Sequence, residues 1–553
     1  MWFALSAVSS LACGGFFCNN TTPVDQSGEQ IVFILDPSGT VTVHVRVSYV
    51  GPSESFAWVV PVPAVPELGI SSNGLFDALS GATSPTHTLA YEAGECGGSY
   101  YYNDYAYSAS STDGGGYADT GSSTVQVLDR TEVGPYETVT LAAESAEALT
   151  DWLAANGYDV PASVGPAIAP YVAQGQYLLA LKLTKESDTG DIAPIVMSYP
   201  GTTGSIPIQL TAVAATPDMP LEVYVFGEHR AVPTSYYHVI PNPFVYDWFT
   251  GTVDWQDTIS RAADEAGGHA FATDFAGSTQ PLRGAFYQGQ YDAALVDLAG
   301  ASDAIAWWRL VVSNFPASTA ILDVFREFIP MPANSGVDEQ TYYNALDYYG
   351  AAWAGQPFDA AAATAGLESA VVQPLRDAEQ LVLDAPHLSR LTSSLDAREM
   401  TVDPVFELNG DMGQEVSNLH QATLTWVCAA TEDPADAART FTVAPEGYTV
   451  GLPSRNALQA MGVTEYEYLQ SLTTFSALRI EQTGASGQPV VVSDQTTWLE
   501  EMIADLGVGT LPLGDSGTQA SEGCGCDAGR ATSGAVLPLL LIGLVRRRAR
   551  ASA

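Results

Sequence analysis

Lysine is nearly missing from this chain. Lys182 and Lys185 are the only lysines in 553 residues, and Lys plus Arg total 20 against 63 Asp plus Glu, a formal charge of −43. Nucleic-acid binding needs clustered Lys and Arg on the phosphates, so nucleic acid is excluded as a partner. Anionic lipid headgroups are repelled on the same grounds. A surface this acidic stays soluble by self-repulsion and suits a salty or divalent-rich setting. Catalytic signatures are also missing. There is no G-x-S-x-G elbow, no Walker loop, no H-E-x-x-H pair and no His-x-His. No repeat of fixed period runs along the chain. What is present excludes a disordered chain, because 46% hydrophobic residues and 10 tryptophans can build a core. A chain of this length suits about two or three packed units.

The ends carry the clearest pattern. Cys524-Gly525-Cys526 precedes an apolar run over 531–545, which Arg546, Arg547, Arg548 and Arg550 follow. As a helix that run spans about 22 Å, short of the roughly 20 residues of an ordinary membrane span. Arginines stay on the cytoplasmic side, which places everything before Cys524 outside. Residues 1–12 are apolar, with Ser10 and Ala12 set like an A-x-A cleavage site. Residues 1–12 therefore read as a signal peptide, without the usual basic start. Residues 506–523 are rich in Gly, Ser and Thr and read as a linker to the 524–553 tail.

The tail resembles the MYXO-CTERM sorting signal of myxobacterial surface proteins, through Gly523-Cys524-Gly525-Cys526, the apolar stretch and the arginine cluster. That resemblance implies a sorting protease as partner and Cys524 or Cys526 as the residue of processing or lipidation. It also implies a cell-surface or outer-membrane location, held through the C-terminus. Four cysteines remain, Cys13, Cys18, Cys96 and Cys428. In an oxidising compartment they are disulfide candidates with three pairings. One of these joins Cys13 to Cys18 and Cys96 to Cys428.

Strand and helix periods alternate along the body. Residues 30–35 and 40–50 read as a hairpin about the turn Asp36-Pro37-Ser38-Gly39. In the second strand Val41, Val43, Val45 and Val47 share one face, and the other face turns His44 to solvent. Residues 56–60, 125–128, 138–141, 176–183, 206–213, 221–226, 422–428, 440–443, 477–482 and 489–492 are further strands. Helices are predicted over 75–79, 145–156, 166–172, 254–266, 318–328, 339–352, 359–383, 388–396 and 457–471, with Ser318 as an N-cap. The Tyr-, Ser- and Gly-rich stretch 100–124 reads as an exposed insertion. The class is α+β. A β-rich part with antiparallel strands covers 13–250, a helix-rich region covers 251–400, and an α+β region over 401–505 closes the body.

Three stretches resemble DUF2330, a family without a known activity. They are Ala12-Cys13-Gly14-Gly15-Phe16-Phe17-Cys18 with Pro23-Val24-Asp25-Gln26 and Phe56-Ala57-Trp58-Val59-Val60-Pro61-Val62-Pro63; residues 149–183; and Glu399-Met400-Thr401-Val402-Asp403-Pro404-Val405-Phe406, so that the likeness spans most of residues 12–430. The resemblance carries no catalytic residue over to this chain.

The chemistry-bearing residues are scattered. His229 and His238 are spaced to meet across a hairpin, although a structural role outweighs a catalytic one. Cys96 or Cys428 beside a histidine would make a nucleophile pair, but export favours a disulfide. Asp403, Glu407, Asn409, Asp411 and Glu415 offer oxygen ligands of the kind Ca²⁺ takes, and Asp113 and Asp119 flank a glycine run. Neither set has EF-hand spacing. No other cofactor is indicated. The sequence therefore points to an exported, surface-anchored binding or structural protein of the cell envelope rather than an enzyme, with an extracellular ligand it does not name. A secreted hydrolase assembled from distant residues and a Ca²⁺-stabilised adhesin are the rivals. A deep pocket holding a histidine beside a carboxylate would favour the hydrolase.

Overall fold

The hairpin forms as its pattern demands. Asp25–Asp36 and Thr40–Val50 pair antiparallel, and Gly39 takes φ +88° in the turn between them. This computed structural model describes residues 25–505. Outside the description lie 51–56, 93–125, 134–135, 157, 159, 161–162, 184–193, 251–254, 288, 333–334, 428–432, 434, 445–446 and 472–473. The leader over 1–12, the insertion over 100–124 with Asp113 and Asp119, all six cysteines, the linker and the tail therefore also lie outside the described residues.

The hairpin sits inside a ten-stranded mixed sheet. From one edge the strands are Val490–Asp494, Ala477–Gln482, Tyr237–Pro241, Ala270–Ser278, His387–Leu395, Met219–Gly227, Asp25–Asp36, Thr40–Val50, Ile195–Pro200 and Glu67–Ile70. Across its central strands both faces are covered, and side chains alternate between two cores. Ile31, Phe33, Val223 and Val225 enter one core. Val32, Tyr224 and Phe226 enter the other, against the helices Asn73–Thr83 and Gln373–Asp384. Three smaller sheets surround this one. Thr449–Leu452, Ala438–Ala444, Leu419–Val427 and Thr86–Glu92 make the one that matters for the site. Helices between Asp292 and Asp384 close their own core around Trp307, Tyr342 and Phe325. The fold is α+β. Strands from all three sequence regions share the large sheet, and the described residues cluster as one unit.

The helix at 145–156 is Ala146–Ala155. Ser145 caps it by accepting from Ala148 N at 3.2 Å, and Leu149, Trp152 and Leu153 are buried. Ser318 caps Thr319–Phe328 in the same way, through Ile321 N.

Several expectations are corrected. The helix predicted over 388–396 is the strand His387–Leu395, buried at every position. Leu388, Leu391 and Leu395 carry a helical period. A strand covered on both faces need not alternate once its polar side chains are bonded. Ser393 Oγ donates to Ala270 O at 2.7 Å, Ser394 Oγ donates to Asp218 O at 3.0 Å, and Ser389 Oγ accepts from Ala231 N at 2.9 Å. The strand predicted over 206–213 is instead the short helix Ile208–Thr211, which sends Ile208 and Leu210 into two different cores. His44 is not solvated. The helix Asn73–Thr83 lies over that face of its strand, and His44 Nδ1 is 2.8 Å from Ser71 Oγ. Burial takes its pKa down to about 4. The helix over 457–471 is two, Arg455–Met461 and Glu465–Ser471, broken where Gly462 takes φ +71°. The helix over 339–352 divides into Glu339–Asn344, Leu346–Tyr349 and a 3₁₀ turn at Gly350–Trp353. The one over 359–383 carries a π-turn at Glu368–Val372, just before Pro374, which has no N–H to donate.

Candidate functional site

Two strands not expected from sequence build the site. Tyr237–Pro241 and Ala270–Ser278 pair in parallel, and Ala477–Gln482 pairs antiparallel on the other side of Tyr237–Pro241. His238 lies opposite Glu481 in that register. Both strands flanking Tyr237–Pro241 carry irregularities close by. One bulge falls between Thr273 and Phe275, another between Ile480 and Glu481. Bulges re-aim side chains and gather beside sites.

A cavity of about 740 Å³ opens here, between the large sheet and the Leu419–Val427 sheet. That is the size of a small-molecule site. One end is polar. His238 Nδ1 lies 3.3 Å from Glu481 Oε2, and its Nε2 lies 3.0 Å from Thr273 Oγ1. Arg479 Nε stands 2.8 Å from the other oxygen of Glu481. Arg230 Nη2 donates to Thr273 Oγ1 at 3.2 Å, and its Nη1 donates to Gly413 O at 3.1 Å. Arg230 Nε has no partner, although the residue is only 7% exposed. Burial lowers the pKa of His238, and Arg230 and Arg479 add to this against the pull of Glu481. Burial raises Glu481, but His238 and Arg479 outweigh it and its pKa falls below the ordinary value. At neutral pH the pair is thus a neutral imidazole and a carboxylate.

The other end is aromatic. Tyr246, Trp248 and Trp255 line it with His420. His420 stacks on His87, with ring centroids 4.7 Å apart and planes 10° apart, because the two sit opposite each other on paired strands. Tyr246 and Trp248 meet His87 edge-on at 5.0 and 5.4 Å. Burial brings His87 down to about 3, with His420 adding to it, and burial lowers His420 as well. Two stacked imidazoles cannot both be charged in this setting, so both are neutral. Trp255 Nε1 donates to Asp274 Oδ1 at 3.1 Å behind the wall.

The five residues read as a Ca²⁺ cluster are spread out. Asp403 accepts from Tyr171 OH at 2.8 Å and from Gln209 N at 3.2 Å. Glu407 lies on the strand Val405–Leu408, opposite Val232. Asn409 donates to Gly484 O and Gly487 O, and Asp411 accepts from Gly487 N, so both hold a loop. Glu415 lines the cavity. Among the described residues no group of three or more His, Cys, Asp or Glu could hold a metal ion. His229 does not meet His238. Its ring lies against Gly410, where an added Cβ would come within 3.2 Å of it.

Sequence reading singled out His238 but none of its partners. Glu481 is 243 residues away along the chain, a separation at which no spacing rule applies.

Residues 7–281 match the family described as "Uncharacterized protein conserved in bacteria (DUF2330)". This stretch, just under half of the chain, is similar to DUF2330. The match includes Arg230, His238, Trp248, Trp255 and Thr273, and ends before His420, Arg479 and Glu481. The stretch 399–406 lies beyond it. No curated protein and no solved structure matches the chain. The DUF2330 description names no activity, so function rests on the cavity.

Proposed function

We propose that this DUF2330-like protein is an exported envelope protein that binds a small organic ligand in the 740 Å³ cavity. The observation that carries the reading is a buried guanidinium, Arg230, with an unpartnered Nε–H, in a cavity whose far wall is Tyr246, Trp248 and Trp255. A ligand that fits has a carboxylate or carbonyl for Arg230 and a flat or sugar ring to lie on the aromatic wall. Lysine-poor acidity outside this cavity repels large polyanions, which leaves a small ligand.

Wild-type protein titrated with uronic acids, N-acetylated amino sugars and aromatic carboxylates should quench tryptophan fluorescence with at least one of them. Arg230→Met should weaken that binding about tenfold or more, about 1.4 kcal/mol. Silence across the whole panel, or equal affinity in the variant, would remove the reading.

Export and anchoring are supported by the sequence of both ends. No helix among the described residues is long and apolar enough to cross a membrane. The proposed anchor therefore rests on the tail beyond Cys524, and the double variant Cys524→Ser/Cys526→Ser should move the protein from the membrane fraction to the medium. Unchanged fractionation would exclude lipid attachment or cleavage at those cysteines.

A further inference from the structure

We propose that Thr273 is an acyl-accepting nucleophile, activated by His238 as general base, with Glu481 orienting the imidazole and Arg230 stabilising the oxyanion. The inference rests on the cavity being a ligand site and gives that ligand a reactive group, an ester or another activated acyl carbonyl.

The hydrogen-bond directions allow one consistent assignment. An ionised Glu481 only accepts, so His238 Nδ1 carries the proton and donates to it at 3.3 Å. The neutral ring then accepts at Nε2, and Thr273 Oγ1 donates to it across 3.0 Å. Thr273 Oγ1 in turn accepts from Arg230 Nη2 at 3.2 Å. A hydroxyl on a base, the base on an orienting carboxylate, and a free donor beside them make the geometry of nucleophilic acyl transfer, whatever the fold. Thr273 is half-buried and lines the cavity, so a ligand reaches it. The bulge following Thr273 sets its direction. Arg230 Nε, buried and unpartnered, is left to meet an oxygen that becomes charged.

The step balances without an added oxidant or reductant. Thr273 Oγ attacks the acyl carbon and its proton passes to His238 Nε2. The carbonyl oxygen takes up the negative charge. The bond to the alkoxy group breaks, and that group leaves as an alcohol with the proton from His238. Water then attacks the acyl-threonine and gives its proton to His238. The bond to Oγ breaks, Oγ is reprotonated, and a carboxylic acid leaves.

The test uses the whole protein and p-nitrophenyl acetate. Wild type should release a burst of p-nitrophenol and carry acetyl on Thr273 by peptide mass mapping. Thr273→Val keeps the shape and loses the hydroxyl, and it should lose the burst at least tenfold. Thr273→Ser should keep it, which separates chemistry from packing even if His238→Gln fails to fold. No burst in wild type, acetyl found only elsewhere (on Lys182, for example), or a burst unchanged in Thr273→Val would overturn the proposal. The two failures are distinguishable. Ligand binding without a Thr273 adduct ends the nucleophile alone, whereas a silent ligand panel together with no Thr273 adduct ends both readings.

Discussion

Replacing Arg390 by Met should destabilise the protein by about 3–5 kcal/mol, the cost of leaving the buried carboxylate of Asp274 without its cation. Arg390 is 4% exposed at the centre of the large sheet. Its Nη2 is 3.1 Å from Glu222 Oε2, its Nε is 3.1 Å from Asp274 Oδ2, and its Nη1 donates to Ser84 Oγ at 2.5 Å. The guanidinium also lies over the Tyr224 ring, 5.5 Å from its centroid. Asp274 is 1% exposed, and burial raises its pKa while Arg390, Thr392 and Trp255 hold it back. Without Arg390 that restraint goes and the pKa of Asp274 climbs further. The folded variant then holds a proton that the unfolded chain releases, so its stability falls as pH rises. The loss in Arg390→Met should therefore be larger at pH 8 than at pH 5, and Asp274→Asn in the same chain should recover part of it. Urea unfolding of the single and double variants measures all of this. A loss no larger than that of Arg309→Met, an exposed ion pair worth about 0–1 kcal/mol, would show that the network carries no stability.

Glu29 should make the protein less stable as pH rises from about 4.5 to about 7. It is 6% exposed, and its carboxylate accepts one bond, from Gln26 Nε2 at 3.2 Å. It shares a void of about 40 Å³ with Ile31, Val45 and Trp58. Burial pushes its pKa from 4.5 up to about 7, with Gln26 pulling the other way. Its contribution is fully present below pH 4.5, where both states are protonated. It is lost between there and pH 7, where the unfolded chain ionises first, and it does not change above that. The span amounts to about 3 kcal/mol. Glu29→Gln keeps the shape and cannot ionise, so its advantage over wild type should grow by that amount across the window and then level off. Melting curves of the pair at several pH values show this directly. A difference independent of pH would mean that Glu29 titrates as an ordinary exposed carboxylate.

The two cases also show why part of the structure was readable and part was not. The hairpin, the helix capped by Ser145 and the valine face of Thr40–Val50 follow from local rules, and the structure has them. The first strand reads from 30 onward because a bulge between Gln26 and Gly28 interrupts the alternation. That bulge hides Glu29, which points into the same core as Ile31 and Phe33. The strand His387–Leu395 reads as a helix because its spacing of leucines suits one. Only the neighbours that bond Ser389, Arg390, Thr392 and Ser393 make a polar, fully buried strand affordable.

Composition and local pattern determined the α+β class, the strongly acidic charge, a likeness to DUF2330 that the family match carries over 7–281 but not over 399–406, the first hairpin and several of the helices. These depend on composition and on neighbours within a few residues, where period and capping act. Tertiary structure alone decided the site. His238, Thr273, Arg230 and Glu481 come from four separate segments and meet because parallel and antiparallel pairings bring distant strands into one register. It also decided which ionisable groups lose water. Desolvation depends on what covers a side chain, so His44, Glu29 and the His87–His420 stack owe their altered protonation to elements far from them in the chain.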